Sequence, residues 1–187
     1  MSTASDVLQY WFGTVPGARR KEWFTKDPAF DADIRARFLG LHEAAARGEL
    51  AAWDDTSEGA VALVVLTDQC PRNMFRGEAR AFATDPIALA IARNVIARGW
   101  DAGMRPVERM FVYLPYEHSE VLADQEKSLR LFEPLGAFEE TKDTPDYARR
   151  HWEIVKRFGR FPHRNAALGR PGTPEEIEFL KQPGSGF

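Results

Sequence analysis

The sequence predicts an all-α protein of about eight helices packed as antiparallel pairs. Two observations support this fold class: helix-start signals recur along the chain, and apolar residues recur every three or four positions after them. Aspartate and threonine accept hydrogen bonds from the free amides of a first helical turn, and proline loses nothing at the first helical position. Such pairs occur at Asp27-Pro28, Asp85-Pro86, Thr144-Pro145 and Thr173-Pro174.

These signals and the apolar spacing divide the chain into helices joined by short connections, which favours antiparallel neighbours. The third helix, which Ser57 can cap, contains the run AVALVVL and is apolar nearly all round, so we expect it to be central and buried. A buried parallel strand is the alternative for this run. The predicted helices cover residues 4–12, 27–48, 57–70, 85–99, 106–114, 119–132, 144–159 and 173–182.

Length and composition suit one globular domain. The 187 residues are 44% hydrophobic and 28% charged, and a chain of this length buries about two-thirds of its unfolded surface. We therefore predict a single helical domain over residues 1–187, with a loose tail over 183–187. The formal net charge of −3 argues against nucleic-acid binding by bulk attraction.

The chain has one cysteine, Cys70, so it forms no internal disulfide and no cysteine metal cluster. The first residues, MSTASDVLQYWFG, lack the basic and apolar regions of a signal peptide, and no apolar run is long enough to span a membrane. The sequence contains no glycine-rich phosphate loop and no dinucleotide fingerprint. We expect a cytoplasmic protein with no cofactor and no membrane partner.

The stretch DQCPRNMFRG, residues 68–77, concentrates hydrogen-bonding side chains at the end of the third helix. Pro71 removes one backbone hydrogen bond and is expected to kink the helix, which lets neighbouring side chains diverge into a cleft. Arginine forks on one helix face match carboxylate or phosphate oxygens. The alternative is structural, with internal ion pairs closing the helix. The predicted ligand-binding residues here are Asp68, Arg72, Asn73 and Arg76.

The stretch GRFPHRN, residues 159–165, follows Gly159, a predicted left-handed helix end. Positive charge on neighbouring arginines lowers the pKa of His163, and a neutral imidazole can contact a ligand. The alternative is that these side chains only satisfy carbonyls at the helix end. The predicted ligand-binding residues here are Arg160, His163, Arg164 and Asn165.

A third stretch, ERMFVYLPYEHSEVLADQE at 108–126, surrounds an expected helix break at Pro115. We predict that Glu120 orients His118 for proton transfer, as base and orienting group do in many enzymes. Arg109 and Gln125 are predicted to contact the ligand. A metal held by Glu117, His118 and Glu120 is an alternative, but there is no His-Glu-x-x-His motif, and we predict no metal.

Several of these stretches together resemble the bacterial domain-of-unknown-function family 924. The resemblance runs through almost the whole chain and implies an all-helical fold similar to the tetratricopeptide-repeat superfamily, with no established activity. The family pattern favours a larger apolar residue at Cys70 and a methionine at Glu117, so Glu117 is a poor candidate for a role throughout the family. The matching stretches include VLQYWFG, DPAFDADIRARF, ALVVLTDQCPRNMFRG, AFATDPIALAIA, HSE, LADQE, RFGRFPHRNAALGR and TPEEIEFL.

We expect the three polar stretches to converge on one pocket that binds a small anionic molecule, with His118 moving a proton. One alternative is a tetratricopeptide-like interaction module that clamps an acidic or C-terminal peptide by its carboxylate. A second alternative is a purely structural polar network, because buried polar groups must be paired. The sequence leaves open the ligand, the reaction and the oligomeric state.

Overall fold

The computed structural model describes residues 3–15 and 17–186, and the described residues contain helices and turns without a β-strand. The all-α prediction is confirmed, and each predicted helix is present; the tetratricopeptide-like arrangement stays a prediction. The α-helices are α1 (Ala4–Phe12), α2 (Pro28–Ala46), α3 (Ser57–Val64), α4 (Cys70–Met74), α5 (Asp85–Ala97), α6 (Pro106–Glu117), α7 (Leu122–Phe132), α8 (Thr144–Phe158) and α9 (Pro174–Phe179).

Helix α3 forms the centre of the molecule. Its residues from Gly59 to Val64 are all buried, and it packs against α1, α5 and α6. Gly59 is required at its start, because a Cβ atom there would lie 2.1 Å from the Trp53 carbonyl oxygen. The prediction of a central buried helix is confirmed, and the parallel-strand alternative is wrong. No helix in the described part of the chain is both long enough and apolar enough to cross a bilayer.

The helix starts use the predicted residues only in part. Asp27 accepts hydrogen bonds from the amides of the first turn of α2, and Thr173 forms a capping box at α9. Asp85, however, is the first residue of α5, and its carboxylate accepts hydrogen bonds from arginines instead of capping the helix. The Thr144 hydroxyl donates to the Thr141 carbonyl, so the predicted cap at this position is also wrong. Thr56, not Ser57, caps α3.

A wide, π-helical turn at Val65–Gln69 joins α3 to α4 without a break in the helix. The Cys70 amide donates to the Val65 carbonyl, five residues back, instead of the usual four. Pro71 follows and has no N–H to offer the carbonyls of the wide turn. The irregularity predicted at Pro71 is therefore present, and it takes the form of a widened turn.

Three side chains satisfy carbonyls of the wide turn, and two of them come from distant segments of the chain. Buried carbonyls without a partner are costly, so these donors compensate for the altered backbone pattern. One of them, His42, is buried. The bonds are His42 Nδ1 to the Leu66 carbonyl at 2.9 Å, Thr84 Oγ1 to the Thr67 carbonyl at 2.5 Å, and Arg72 Nη1 to the Asp68 carbonyl at 2.6 Å.

Helix α6 runs further than predicted. The sequence indicated an end at residue 114, but the helix passes through Pro115 and ends at Glu117. Proline in the last turn of a helix removes a single backbone bond, and the surrounding packing tolerates this loss. The extension carries Glu117 and His118 into the interior, where they face α8 and the wide turn.

The C-terminal segment returns to the body of the molecule within its described residues. Ser185 is buried, and its hydroxyl donates to the Leu180 carbonyl at 3.1 Å. The single domain with a loose tail over 183–187 stays a prediction, and Phe187 lies outside the described residues.

We expect Thr84→Val to lower the free energy of unfolding by roughly 1–3 kcal/mol, because the buried Thr67 carbonyl loses its donor. Thr84 is buried, and the substitution nearly preserves its volume. Urea unfolding followed by circular dichroism measures the change. Thr84→Ser keeps the hydroxyl and should cost less.

Pro71→Ala restores a backbone N–H next to the wide turn. In that background Thr84→Val should be less costly, because the new amide can serve the Thr67 carbonyl. An equal cost in both backgrounds would contradict this coupling.

Candidate functional site

A fully buried carboxylate, Asp68, lies at the centre of the candidate site. His118 Nδ1 is 2.8 Å from Asp68 Oδ1, and Gln69 Nε2 donates to Oδ2 at 2.6 Å. Burial alone would raise the pKa of Asp68, but the charge of Arg72 and the His118 contact hold it below its usual range. An ionised carboxylate only accepts hydrogen bonds, so His118 carries its proton on Nδ1.

This arrangement fixes the chemistry of His118. Burial, followed by the charge of Arg72, lowers the pKa of the imidazole. With Nδ1 protonated towards Asp68, Nε2 keeps its lone pair. That nitrogen can accept a proton from a ligand or coordinate a metal ion.

Arg72, which is partly buried, and Arg164, which is buried, share the carboxylate of Asp85. Arg72 binds it in bidentate fashion at 2.8 and 3.0 Å, and Arg164 Nη1 donates to Oδ2 at 3.2 Å. Both guanidinium groups lie near the Phe82 ring, with the Arg72 Cζ 5.6 Å and the Arg164 Cζ 4.6 Å from its centroid. Burial and then the charge of Arg72 lower the pKa of Arg164 to about 10. Arg164 Nε has no hydrogen-bond partner among the described residues.

Glu117 and His151 lie beside His118. Glu117 Oε1 is 3.1 Å from His151 Nδ1, which is also 2.9 Å from the Tyr147 carbonyl. The rings of the two histidines are 6.2 Å apart between centroids. Burial, followed by the negative charge of Asp68, raises the pKa of Glu117 to about 8, so this carboxyl is mostly neutral at pH 7. Burial and the nearby His118 hold the pKa of His151 well below its usual value.

A cavity of about 800 Å³ connects these groups to the surface. Its walls combine cationic and aromatic side chains, and the described C-terminal segment contributes Gly184 and Gly186. The polar residues that reach it include Gln69, Arg72, Asn73, Arg76, Glu117, His118, His151, His163 and Arg164.

Comparison with known proteins places the chain in a family. A family model of bacterial proteins of unknown function, DUF924, matches residues 7–184. The chain belongs to this family. Members of DUF924 are described by that name without an assigned activity, so the geometry of the site must support any functional proposal.

A solved structure shares the fold of this DUF924 protein. The protein of unknown function ATU0120 from Agrobacterium tumefaciens is 43% identical, with a TM-score of 0.86. The match covers 95% of this chain and 96% of that one. No curated protein matches the chain.

The structure brings the central members of all three polar stretches together. Arg72 from the first, His118 from the third, and His163 and Arg164 from the second all line the cavity. Burial, then the charges of Arg164 and Arg72, lower the pKa of His163 to about 4, as its arginine neighbours predicted. Asp68 does not line the cavity, but it contacts His118, which does.

The predicted pairing of His118 with Glu120 is wrong. Arg170 binds the Glu120 carboxylate in bidentate fashion at 2.7 and 2.9 Å, and the Phe161 amide donates to it at 2.8 Å. Glu120 therefore ties the stretch 159–165 to the loop after α6. The carboxylate that orients His118 is Asp68, 50 residues earlier in the chain.

Several predicted ligand-binding residues are already paired. Asn73 and Arg76 both donate to Asp31 of α2, at 2.7 Å and 2.8 Å, although they still border the cavity. Arg160 and Asn165 both donate to the buried carboxylate of Glu176. The structural alternative is thus supported for these residues.

Arg109 and Gln125 lie outside the cavity lining. Arg109 Nε donates to the Tyr113 hydroxyl at 3.2 Å. Gln125 is fully buried, and its Nε2 donates to the carbonyls of Glu117 and Ser119 at 2.5 and 2.6 Å. Gln125 therefore holds the turn that carries His118, a supporting role that proximity in sequence could not distinguish from ligand contact.

Sequence reasoning missed two participants, Asp85 and His151, and considered Glu117 only within an alternative metal site. Asp85 was interpreted as a helix cap, and His151 lies outside the three polar stretches of the sequence. The sequence did contain a signal for His151. It is an ionisable residue at a position that shares the buried face of α8 with Ala148 and Ile154. Buried ionisable groups of this kind are candidates for function.

We expect Glu176→Gln to lower the melting temperature at pH 7 by roughly 4–8 °C, because Arg160 loses a buried ionic partner. Hydrogen bonding from Arg160 lowers the pKa of Glu176 from 4.5 to about 2. Its stabilising effect is complete above pH 4.5 and is lost as pH falls towards 2. The difference between variant and wild type should therefore shrink over that interval.

Glu175→Gln is the matched control. Glu175 is exposed and pairs with Arg157 at the surface, so its loss should change stability by less than about 0.5 kcal/mol. Equal effects of the two substitutions would contradict the structural role of Glu176.

Proposed function

We propose that the cavity binds a small organic anion. The observation that carries this proposal is the charge of its walls: among the described residues, six arginine and lysine side chains line it, against one acidic side chain. That acidic side chain is Glu117, whose pKa of about 8 leaves it mostly neutral. The six cations are Arg19, Lys26, Arg72, Arg76, Arg150 and Arg164.

The cations differ in their availability. Arg72 and Arg76 have carboxylate partners, so they contribute positive electrostatic potential to the cavity more than free hydrogen-bond donors. Arg164 is buried and donates through Nη1 to Asp85, but its Nε has no hydrogen-bond partner within the described part of the chain. Arg150 is exposed on α8 and forms no ion pair with any described residue. These last two guanidinium groups are the best donors for a carboxylate or phosphate.

The ligand also needs an apolar part. Aromatic and aliphatic side chains form much of the wall, a composition typical of small-molecule sites. A simple inorganic anion would leave this surface uncovered, so an anionic group attached to a hydrocarbon or ring fits better. The apolar wall residues include Trp23, Phe24, Phe82, Leu114 and Phe132.

His118 would give such a site proton chemistry. Asp68 orients the imidazole at 2.8 Å, and the same ring lines the cavity. A ligand seated against Nε2 would find a positioned acceptor, as in general-base catalysis. A peptide clamp needs the cations but has no use for this pair.

Thermal shift assays test the binding proposal. At a ligand concentration of 100 times Kd, binding adds about 2.7 kcal/mol of stability, or roughly 5–10 °C for a domain of this size. The panel contains phosphate, sulfate, aliphatic and aromatic carboxylates, and a short peptide with a free carboxylate. A shift with small carboxylates supports the proposal, and a shift with the peptide alone supports the interaction module.

Arg150→Ala should weaken binding of the active anion about tenfold or more, since a charge-assisted contact is worth about 1.5–3 kcal/mol. Arg149→Ala is the matched control, because Arg149 is the exposed neighbour on α8 that does not line the cavity. Isothermal titration calorimetry measures both. Equal losses in the two variants, or no shift with any anion, would refute the proposal.

A further inference from the structure

We propose that Glu117, His118 and His151 form a binding site for a divalent transition-metal ion at the floor of the cavity. One ligand atom from each residue lies within 4.8 Å of the others. Two imidazoles and a carboxylate are the donor set that zinc and iron(II) take in many catalytic sites. All three side chains line the cavity, so an ion has a path to them.

The spacing of the donors is close to what a bound ion needs. Zinc bonds of 2.0–2.2 Å in tetrahedral geometry place ligand atoms about 3.3–3.6 Å apart. The Glu117 carboxylate already lies against the His151 ring, 3.1 Å from its Nδ1. The widest separation of 4.8 Å must close by about 1.5 Å, which side-chain rotation alone can supply.

An outer shell is in place around the donors. Asp68 accepts the proton on His118 Nδ1, an arrangement that fixes ring orientation and makes the other nitrogen a better ligand. Gln125 holds the backbone of Glu117 through a 2.5 Å hydrogen bond. His151 is positioned through its 2.9 Å contact with the Tyr147 carbonyl. Each donor is thus oriented by a group that would not itself touch the ion.

The net charge of the occupied metal site would favour an anion in the cavity above it. The two arginines next to the site are matched by two carboxylates, Asp68 and Asp85. A divalent ion bound to ionised Glu117 would add one net positive charge at the floor. Three protein donors also leave a coordination position open, as in catalytic metal sites. An anion entering the cavity could fill that position and neutralise the charge.

The site differs from the one that the sequence offered as an alternative. Glu120 is bound to Arg170 and is replaced by His151, which α8 supplies from 33 residues beyond His118. With a metal bound, His118 acts as a ligand and no longer as a proton acceptor.

The direct test is metal uptake by the intact chain in a chloride buffer without other anions. The protein is incubated with Zn²⁺, separated from free metal by gel filtration and analysed by mass spectrometry for its metal content. About one equivalent per chain is expected. Cobalt(II) in its place should give the intense visible absorption of a tetrahedral site. Less than about 0.1 equivalent of either metal would overturn the proposal.

Variants locate the site. Glu117→Gln and His151→Gln should each weaken zinc binding at least tenfold, and Asp68→Asn should weaken it by about 10–100-fold. His163→Gln, which changes a cavity histidine outside the donor set, should bind as wild type does. Thermal unfolding verifies that each variant is folded. If His151→Gln does not fold, the zinc affinity of Glu117→Gln alone decides the test. Unchanged binding in Glu117→Gln overturns the site. The thermal shift assay with anions, repeated in the presence of a metal chelator, tests the anion proposal independently of the metal proposal.

Discussion

The backbone N–H that Pro71 lacks determines much of this structure. Pro71 is the second residue of α4, which continues the buried helix α3, and it cannot donate to the turn before it. The helix widens over Val65–Gln69, and its carbonyls accept hydrogen bonds from Arg72 of α4 and from two side chains of other segments, His42 and Thr84. The wide turn is therefore a junction at which α2, the segment before α5, and α4 meet. The same turn places Asp68 fully inside the protein, opposite the end of α6.

Because Asp68 is buried, the residues around it must supply hydrogen-bond donors and positive charge. A carboxylate in the interior is tolerated only when donors and opposite charge surround it, and here Arg72 and His118 do so. Arg72 in turn shares Asp85 with Arg164, so the first and second polar stretches are joined through one carboxylate. The result is a preorganised floor of charged groups beneath a cavity whose mouth is cationic.

The polar stretches thus divide into two functional classes. Side chains on the outer edge, such as Arg76 and Arg160, are paired with acids and connect helices to each other. Side chains on the inner edge, such as His118 and Arg164, face the cavity. A family with no assigned activity gives no guide to their use, so the anion and metal proposals rest on the side chains that line the cavity.

The sequence by itself determined the helices and the concentration of chemistry in three stretches. Caps, glycine ends and apolar spacing act within a few residues, so they can be interpreted locally; Gly159, for example, ends α8 with a positive φ of 71° as predicted. Only the tertiary structure decided the partners. Whether His118 meets Glu120 or Asp68, and whether Asp85 caps a helix or binds arginines, depends on how distant helices pack. The contact between His118 and Asp68 spans 50 residues, and no local rule of sequence encodes a distance of that kind.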